Sequence, residues 1–378
     1  MRILPSICLL FATTVGIPAQ TTYLVGPSGF AEIRDALAVA ANGDIVLVEP
    51  GSYGHFATAK GVTLRALVPG TVSIVYDPSY SILLSAPAFN PFSGTSCHIV
   101  DIDFPDGMSA GGSGSSGTLT MDGCTIQSGG FGMILSGISV HFYGCQISSN
   151  GFGSPAMIAT SAQVTAVDSV FTGSPNAGFF APTTGRGVQL NINSWFHAVR
   201  CEIRSGAPAS PNVVREAALR SAPTSQFWLR DCTLETDPNV CAFDHDGSGR
   251  IDSCTIIGNT TCLGPDIGPV IGVRRLAPLS PGATFALEYT VEPLGFVGLF
   301  VGPTLDTIVL PILEQPSWLA SQDSFVLTVM LADAQGVATG SWPIPANPAL
   351  VHQAFWFKGI TGLALPLQVA PPVGGVIR

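Results

Sequence analysis

An acidic turn near residue 250 carries the side chains with the clearest chemical potential. Asp244, Asp246, Ser248 and Asp252 all bear oxygen, and they stand on both sides of a turn glycine. This spacing lets one loop surround a hard cation such as calcium with oxygen ligands. Thr255 stands where such a loop usually ends in a bidentate glutamate. These four residues are therefore a candidate calcium site, while a plain acidic, glycine-rich turn between strands is the interpretation that the pattern favours.

Arginines concentrate in the middle of a chain whose formal net charge is −10 and which contains only two lysines. The guanidinium fork matches the geometry of a carboxylate. Arg186, Arg215 and Arg220 are therefore candidate contacts for an acidic polysaccharide. Gln189 and Asn191 lie on an alternating stretch, and we expect them to face the same groove. The alternative is that the arginines pair with neighbouring carboxylates, which are those of Glu202, Glu216 and Asp231.

The sequence assigns no catalytic residue. Asp101, Asp103 and Asp106 form the densest carboxylate group, and no histidine stands near them in the sequence pattern as a general base. Whether the protein is an enzyme is therefore left open by the sequence.

The composition favours strands and turns over long helices. Charged residues make up 11% of the chain and hydrophobic residues 46%, which excludes a disordered chain. The 43 glycines and 30 prolines disfavour long helices. The negative net charge and scarce lysine exclude a nucleic-acid partner, since phosphate binding needs clustered basic residues.

The N-terminus has the pattern of an export signal. A basic start is followed by an apolar stretch over residues 3–15 and by small residues up to Ala19. This pattern predicts a signal peptide over residues 1–19 and a secreted or cell-surface protein. The alternative is a short membrane anchor, although the stretch is shorter than the usual span. No later segment is apolar for long enough to span a membrane, so we expect no transmembrane segment after signal removal.

A repeat of about 22 residues organises the middle of the chain. Each copy reads apolar-x-apolar, two turn residues, then a small anchor residue, x, and an apolar residue. Each half alternates with period two, so each copy predicts two strands joined by a tight corner. The second corner residue varies, and we expect it to adopt a tight or left-handed conformation. The anchors, which stacked coils would bring into one interior column, are Ile102, Cys124, Cys145, Ser169, Cys201, Cys232 and Cys254.

Three histidines share one outward position of this repeat, which predicts a solvated face. They are His98, His141 and His197.

This repeat resembles the right-handed parallel β-helix of the pectin lyase-like superfamily over about residues 22–265. The helical spacing of residues 28–40, followed by short strands, also resembles the capped first coil of exported members. The acidic turn resembles the calcium loop of EF-hand and dockerin-type modules. Lyases of the superfamily use an Arg or Lys base with calcium-held carboxylates, and the hydrolases use clustered aspartates. Neither pattern is found in this chain, so the resemblance implies the fold and not an activity.

The last hundred residues form a separate unit. Prolines and glycines break the repeat near residue 269, and short alternating strands follow. The sequence therefore predicts a β-helix with an N-terminal capping helix over 20–268 and a small antiparallel β-sandwich over 269–378. The run over residues 341–353 resembles a C-terminal module of other exported bacterial proteins. We expect this domain either to cap the open end of the solenoid or to bind a ligand.

The cysteine pattern predicts mostly free thiols. Five of the eight cysteines that remain after signal removal stand in the predicted interior column, where neighbouring strands do not favour bridge geometry. Cys241 and Cys262 lie outside the column and are the predicted disulfide pair. The absence of a Cys-x-x-Cys motif argues against a metal cluster.

Two coils of 32 and 31 residues exceed the usual length and predict loops on one face. These insertions, near 174–186 and 205–226, bring Phe179 and Phe180 and would wall a groove. The sequence thus favours an exported, non-catalytic polysaccharide-binding or cell-surface structural protein. The alternative is a polysaccharide lyase or glycoside hydrolase that acts on acidic polysaccharide. No cofactor is required by either hypothesis, calcium is an option, and the oligomeric state is not predicted.

Overall fold

The computed structural model describes most of the chain beyond the predicted signal peptide, which itself lies outside the described residues, as do Phe179, Phe180 and Cys262. The described residues are 20–76, 88–89, 95–112, 117–175, 183–207, 215–259, 265–277, 279–303, 305–308, 310–319, 324–363 and 365–377.

The strands of the first two thirds of the chain cycle through three parallel sheets. Sheet 1 consists of Thr22–Val25, Ile45–Val48, Thr63–Ala66, Ser96–Val100, Thr118–Asp122, Ser139–Tyr143, Gln163–Val167, Trp195–Val199, Gln226–Arg230, Ser248–Asp252 and Asp266–Ile267. Sheet 2 consists of Gly51–Gly54, Val72–Val75, Asp103–Phe104, Thr125–Ser128, Gln146–Ser149, Val170–Thr172, Glu202–Arg204, Thr233–Glu235 and Thr255–Ile257. Sheet 3 consists of Ala57–Thr58, Ala88–Phe89, Met108–Gly111, Met133–Ser136, Met157–Thr160, Val188–Leu190, Leu219–Ser221 and Phe243–His245.

One residue with a left-handed backbone turns each coil from sheet 1 to sheet 2. Its φ lies between 51° and 67° in seven successive coils. Glycine and aspartate tolerate this region better than most residues, which explains their frequency at the corner. The predicted corners are confirmed; the seven residues are Asp101, Gly123, Gly144, Asp168, Arg200, Asp231 and Ser253.

The interior column predicted from the repeat is confirmed. Thr125 pairs with Gln146, and Gln146 with Val170, so the anchors that precede them lie side by side. The thiol of Cys145 donates to the carbonyl of Met121 at 3.3 Å, which links neighbouring coils. Burial raises the pKa of Cys97, another interior thiol, to about 12. Free thiols are found at Cys97, Cys124, Cys145, Cys201, Cys232 and Cys254.

Cys241 differs from the column because it is disulfide-bonded. Its predicted partner, Cys262, is outside the described part of the chain.

A short helix, Ile33–Val39, packs against the strands of the first coil. Ile33, Ala36 and Leu37 form its buried face. The Lys60 ammonium donates to the carbonyls of Leu37 and Ala40, both at 2.6 Å, and so satisfies groups that the helix end leaves without partners. No helix of the described residues is both long and apolar enough to cross a membrane.

The C-terminal region folds into antiparallel sheets, which confirms the predicted fold class. One sheet pairs Gly272–Arg275, Thr284–Thr290 and Val337–Pro343. A second sheet contains Phe325–Leu331, Phe296–Gly302, Ala354–Thr361, Gln368–Val369 and Val373–Val376. A two-stranded sheet pairs Leu305–Ile308 with Ser317–Leu319, and a 3-10 helix spans Pro348–Leu350.

The C-terminal domain covers the outer face of sheet 1 along the side of the solenoid. The Arg275 guanidinium lies 3.8 Å from the centre of the Tyr143 ring. Trp356 stacks on His98 with ring centres 5.8 Å apart and meets His141 edge-on at 5.4 Å. The sequence suggested a cap at the open end, whereas these contacts lie on the lateral face.

The contacts of the C-terminal domain extend over most of the length of sheet 1. Arg65, on an early coil, lies with its guanidinium 3.0 Å from Nδ1 of His352. Arg250, on a late coil, forms an ion pair of 2.6 Å with Glu314. The C-terminal domain therefore contacts both early and late coils of the solenoid.

The prediction of a solvated histidine face is wrong. His98, His141 and His197 are buried beneath the C-terminal domain. The register places them in one outer row of sheet 1, where the histidines alternate with threonines. Nδ1 of His98 lies 2.5 Å from Oγ1 of Thr120, its neighbour in this row. Alternation identified the outward direction correctly, but it carries no information about the domain that covers this face. The row runs Thr63, His98, Thr120, His141, Thr165, His197, Trp228, Arg250.

We predict that a β-branched residue at a left-handed corner destabilises the β-helix through backbone strain. Gly144 has a φ of 61°, and a Cβ added there meets nothing within 4 Å. Gly144→Val should therefore lower the free energy of unfolding by about 1–2 kcal/mol in urea titrations. Gly129 also has open space but no left-handed φ, so Gly129→Val serves as the control. Equal effects of the two substitutions would contradict the corner argument.

We predict that the protein loses stability as the pH falls from about 6.5 towards 4. Desolvation by burial lowers the pKa of His98 to about 4 and of His141 to about 3, with the Arg275 charge also lowering the latter. Burial likewise lowers the pKa of His197 to about 3. At a pH between these folded-state pKa values and the ordinary histidine pKa, the three imidazoles are protonated in the unfolded chain but not in the folded protein. A lower pH therefore favours unfolding.

The measurement is the urea midpoint at several pH values between about 5 and 6.5, above the main carboxylate range. Each buried histidine contributes a slope of up to about 1.4 kcal/mol per pH unit. His141→Gln should reduce the total slope by about that amount. A stability that does not change over this interval in the wild-type protein would contradict the prediction.

Candidate functional site

The outer face of sheet 3 brings most of the predicted binding residues together. The register sets Gln189 opposite Ile158 on one side and Arg220 on the other, and Arg220 opposite Asp244. Successive coils therefore supply one outward row parallel to the solenoid axis. We call it the sheet 3 row; it consists of Ser109, Ile134, Ile158, Gln189, Arg220 and Asp244.

A chain of hydrogen bonds joins polar side chains beside this row. The Asn191 amide donates to Oγ1 of Thr160 at 3.2 Å, and the Gln189 amide donates to Oδ1 of Asn191 at 3.0 Å. The Arg186 guanidinium donates in turn to Oε1 of Gln189 at 3.4 Å. These half-buried groups are held by one another, so the amides present fixed donors and acceptors to a ligand.

Arg186 connects the amides to two carboxylates. Its Nη2 lies 2.6 Å from Oε2 of Glu216 and 3.8 Å from Oδ2 of Asp244. The same Asp244 oxygen lies 3.5 Å from Nε of Arg220. The structure thus confirms the alternative of local pairing between Arg186 and Glu216. Among the described residues, no polar contact joins Arg215 to this cluster.

Local pairing extends to arginines on other faces. Arg204 contacts Glu202 and lies 3.1 Å from Glu235. Arg230 pairs with Asp252 at 2.5 Å and lies 3.5 Å from Asp231. The two remaining carboxylates of the pairing alternative, those of Glu202 and Asp231, therefore also have arginine partners.

The four predicted calcium ligands are spread over two sheets. Asp244 lies on a strand of sheet 3 and Asp252 at the end of a strand of sheet 1. Asp246 and Ser248 are exposed between those two positions. Asp252 also accepts a hydrogen bond from the Val270 amide at 3.2 Å. The described residues contain no cluster of three His, Cys, Asp or Glu side chains placed to hold a metal ion, and the calcium site stays a prediction.

Two exposed phenylalanines border sheet 3 and were not singled out in the sequence. Phe131 and Phe152 are 44% and 76% exposed on successive coils, at the turn from sheet 2 to sheet 3. Ser128 pairs with Ser149 just before them, and Gly151 lies so close to the backbone of Gly129 and Gly130 that a Cβ would clash. A signal existed, since Gly-Phe-Gly occurs twice at the coil spacing.

The two long insertions leave the solenoid at this same turn. One separates Val170–Thr172 of sheet 2 from Val188–Leu190 of sheet 3, and the next separates Glu202–Arg204 from Leu219–Ser221. The phenylalanine pair and both insertions therefore lie along one edge of sheet 3. Residues 176–182 and 208–214 of the insertions are outside the described residues.

At this same edge, the carboxylate of Asp106 has a histidine neighbour that the sequence did not indicate. Nε2 of His55, which is buried, lies 3.7 Å from Oδ2 of Asp106. The Tyr76 amide donates to the same oxygen at 2.7 Å. The sequence missed this contact because His55 precedes the repeat pattern by two coils.

Comparisons with known proteins give only distant likenesses. No protein-family model matches the chain, and no curated protein matches it in sequence. Full-length tailspike protein 2 from Escherichia coli O157:H7 bacteriophage CAB120 is similar in structure, with a TM-score of 0.33, 9% identity and coverage of 91% of this chain and 61% of that chain. The enzymatically active domain of bacteriophage CBA120 tailspike protein 2 gives a TM-score of 0.25, 10% identity and coverage of 86% and 63%. The chain thus spans about three fifths of the length of these proteins.

We predict that Arg186 stabilises the fold while Arg220 does not. The Arg186 side chain is 17% exposed and its loss leaves the partly buried Glu216 carboxylate without this cation. Arg186→Met should therefore lower the free energy of unfolding by about 1–3 kcal/mol. Arg220→Met removes an exposed pair with Asp244 and should cost less than about 1 kcal/mol. Urea titration of both variants measures the difference, and similar losses would contradict it.

Proposed function

We propose that the protein binds a polysaccharide along the outer face of sheet 3. The observation that carries this proposal is a hydrogen-bonded polar cluster on the outer face of sheet 3 beside the exposed rings of Phe131 and Phe152 at one edge of that sheet. Amides and charged groups can hydrogen-bond sugar hydroxyls, and the phenylalanine rings can pack on the apolar faces of sugar rings. The outer face of sheet 1 is occupied by the C-terminal domain, so we do not expect a glycan to bind there.

Binding is favoured over catalysis by the state of the carboxylates. Glu216 and Asp244 are the acidic residues of the polar cluster, and both are engaged by guanidinium groups. A hydrolase needs one carboxyl group that is free to donate a proton to the leaving oxygen. We therefore propose a non-catalytic role, with a lyase or hydrolase as the alternative.

The wider setting of this function is also a proposal. The N-terminal segment supports export and a secreted or cell-surface location. The three-sheet coil with its helical cap supports kinship with the pectin lyase-like superfamily of bacterial β-helix proteins. Calcium at the acidic turn is testable by comparing thermal stability with added calcium and with chelator.

We predict that Phe152 contributes directly to polysaccharide binding. Removal of this exposed ring should weaken binding about tenfold, because one aromatic contact contributes roughly 1.4 kcal/mol. The assay is affinity electrophoresis of wild-type protein and Phe152→Ala in gels that contain defined polysaccharides. Phe325→Ala removes a ring of 46% exposure from the C-terminal domain and is the matched control.

A loss with Phe152→Ala and none with Phe325→Ala is expected. Retention that is unchanged by Phe152→Ala would exclude the sheet 3 edge from the binding surface. Release of reducing ends or unsaturated products from the polysaccharide in the same gels would show that the protein is an enzyme and would contradict the non-catalytic role.

A further inference from the structure

We infer that the sheet 3 site takes an uncharged polysaccharide and not an acidic one. This inference deepens the proposed function and rests on it. Its basis is the balance of charge on the face where the glycan would lie.

The charges of the polar cluster cancel. Arg186 and Arg220 supply two positive charges, and Glu216 and Asp244 supply two negative charges at 2.6 to 3.8 Å from them. An acidic sugar would have to displace these carboxylates from the guanidinium groups. The replacement exchanges one charge-assisted contact for another and gains little.

The middle segments of the two insertions contain no lysine or arginine. Residues 176–182 read Asn-Ala-Gly-Phe-Phe-Ala-Pro, and residues 208–214 read Pro-Ala-Ser-Pro-Asn-Val-Val. Neither segment contains a charged residue, so neither changes the charge balance of the cluster. Arg215 follows the second segment, and among the described residues no polar contact joins it to the cluster, so the balance is drawn over Arg186, Arg220, Glu216 and Asp244.

Arginines elsewhere on the solenoid are committed to other contacts. Arg200 forms two hydrogen bonds of 2.8 Å to the Asp168 carboxylate and another to the carbonyl of Val273. Arg230 pairs with Asp252 beside the C-terminal domain. These arginines stabilise coil contacts and domain docking instead of facing a ligand on sheet 3.

The remaining groups suit hydroxyl-rich, uncharged rings. Gln189 and Asn191 offer amide donors and acceptors, and the carboxylate of Asp244 is 52% exposed and accepts hydrogen bonds from hydroxyls. Because this carboxylate already faces both guanidinium groups, a uronate finds no unmatched cation there. Phe131 and Phe152 provide apolar surface that requires no charge on the sugar.

The test compares two groups of polymers on the wild-type protein. Galactomannan, xyloglucan and dextran are the uncharged probes, and polygalacturonate and alginate are the acidic probes. We expect retention by at least one uncharged probe, with affinity that changes less than about twofold between low and high salt. Preferred binding of an acidic probe would overturn the inference while it leaves the proposed function standing. Absence of binding to all five probes would count against both.

A pair of variants tests the charge balance itself. Asp244→Asn removes the carboxylate that faces Arg220 and Arg186, and should raise affinity for polygalacturonate about tenfold in low salt. Asp246→Asn removes the same charge from an exposed position two residues away and is the matched control. An equal gain of affinity for polygalacturonate in both variants would show that only the net charge matters, and it would contradict the idea that Asp244 neutralises the arginines of the cluster.

Discussion

The in-register stacking of coils is the constraint on which the rest of the structure depends. Each strand pairs with the equivalent strand of the next coil, so one residue position of the repeat becomes one row along the solenoid. Inside, that rule lines up the small anchor residues; outside, it lines up histidines with threonines on one sheet and polar groups on another. Side chains that are far apart in sequence, such as Gln189 and Arg220, therefore become neighbours without any special local signal.

The part of the fold that repeats could be predicted from the sequence, because period and alternation determine which residues share a row. The corner at Asp168 and the column through Cys201 follow directly from that rule. The cover over His141 could not be predicted, since it depends on a domain more than a hundred residues further along the chain. The pairing of Arg186 with Glu216 was one of two open alternatives, and choosing between them required the positions in space of two side chains that are 30 residues apart in sequence.

The outer faces of sheets 1 and 3 have different uses, although the same coils build both. Sheet 1 lies beneath antiparallel strands, and buried imidazoles of its outward row pack against the Trp356 ring. Sheet 3 keeps half-buried amides and ion pairs beside exposed rings. The solenoid interior is common to both faces, so specialisation is confined to outward positions and to the turns that join the sheets. Recognition can thus vary while the core stays constant.

The column of unbridged thiols has a consequence for how the chain reaches this state. Cysteines on adjacent coils, such as Cys124 and Cys145, become neighbours only when their coils stack, and in an oxidising environment an open chain would cross-link them wrongly. Once enclosed, a thiol with a raised pKa is a poor nucleophile. In such an environment, correct assembly would require coil closure to precede oxidation of these thiols.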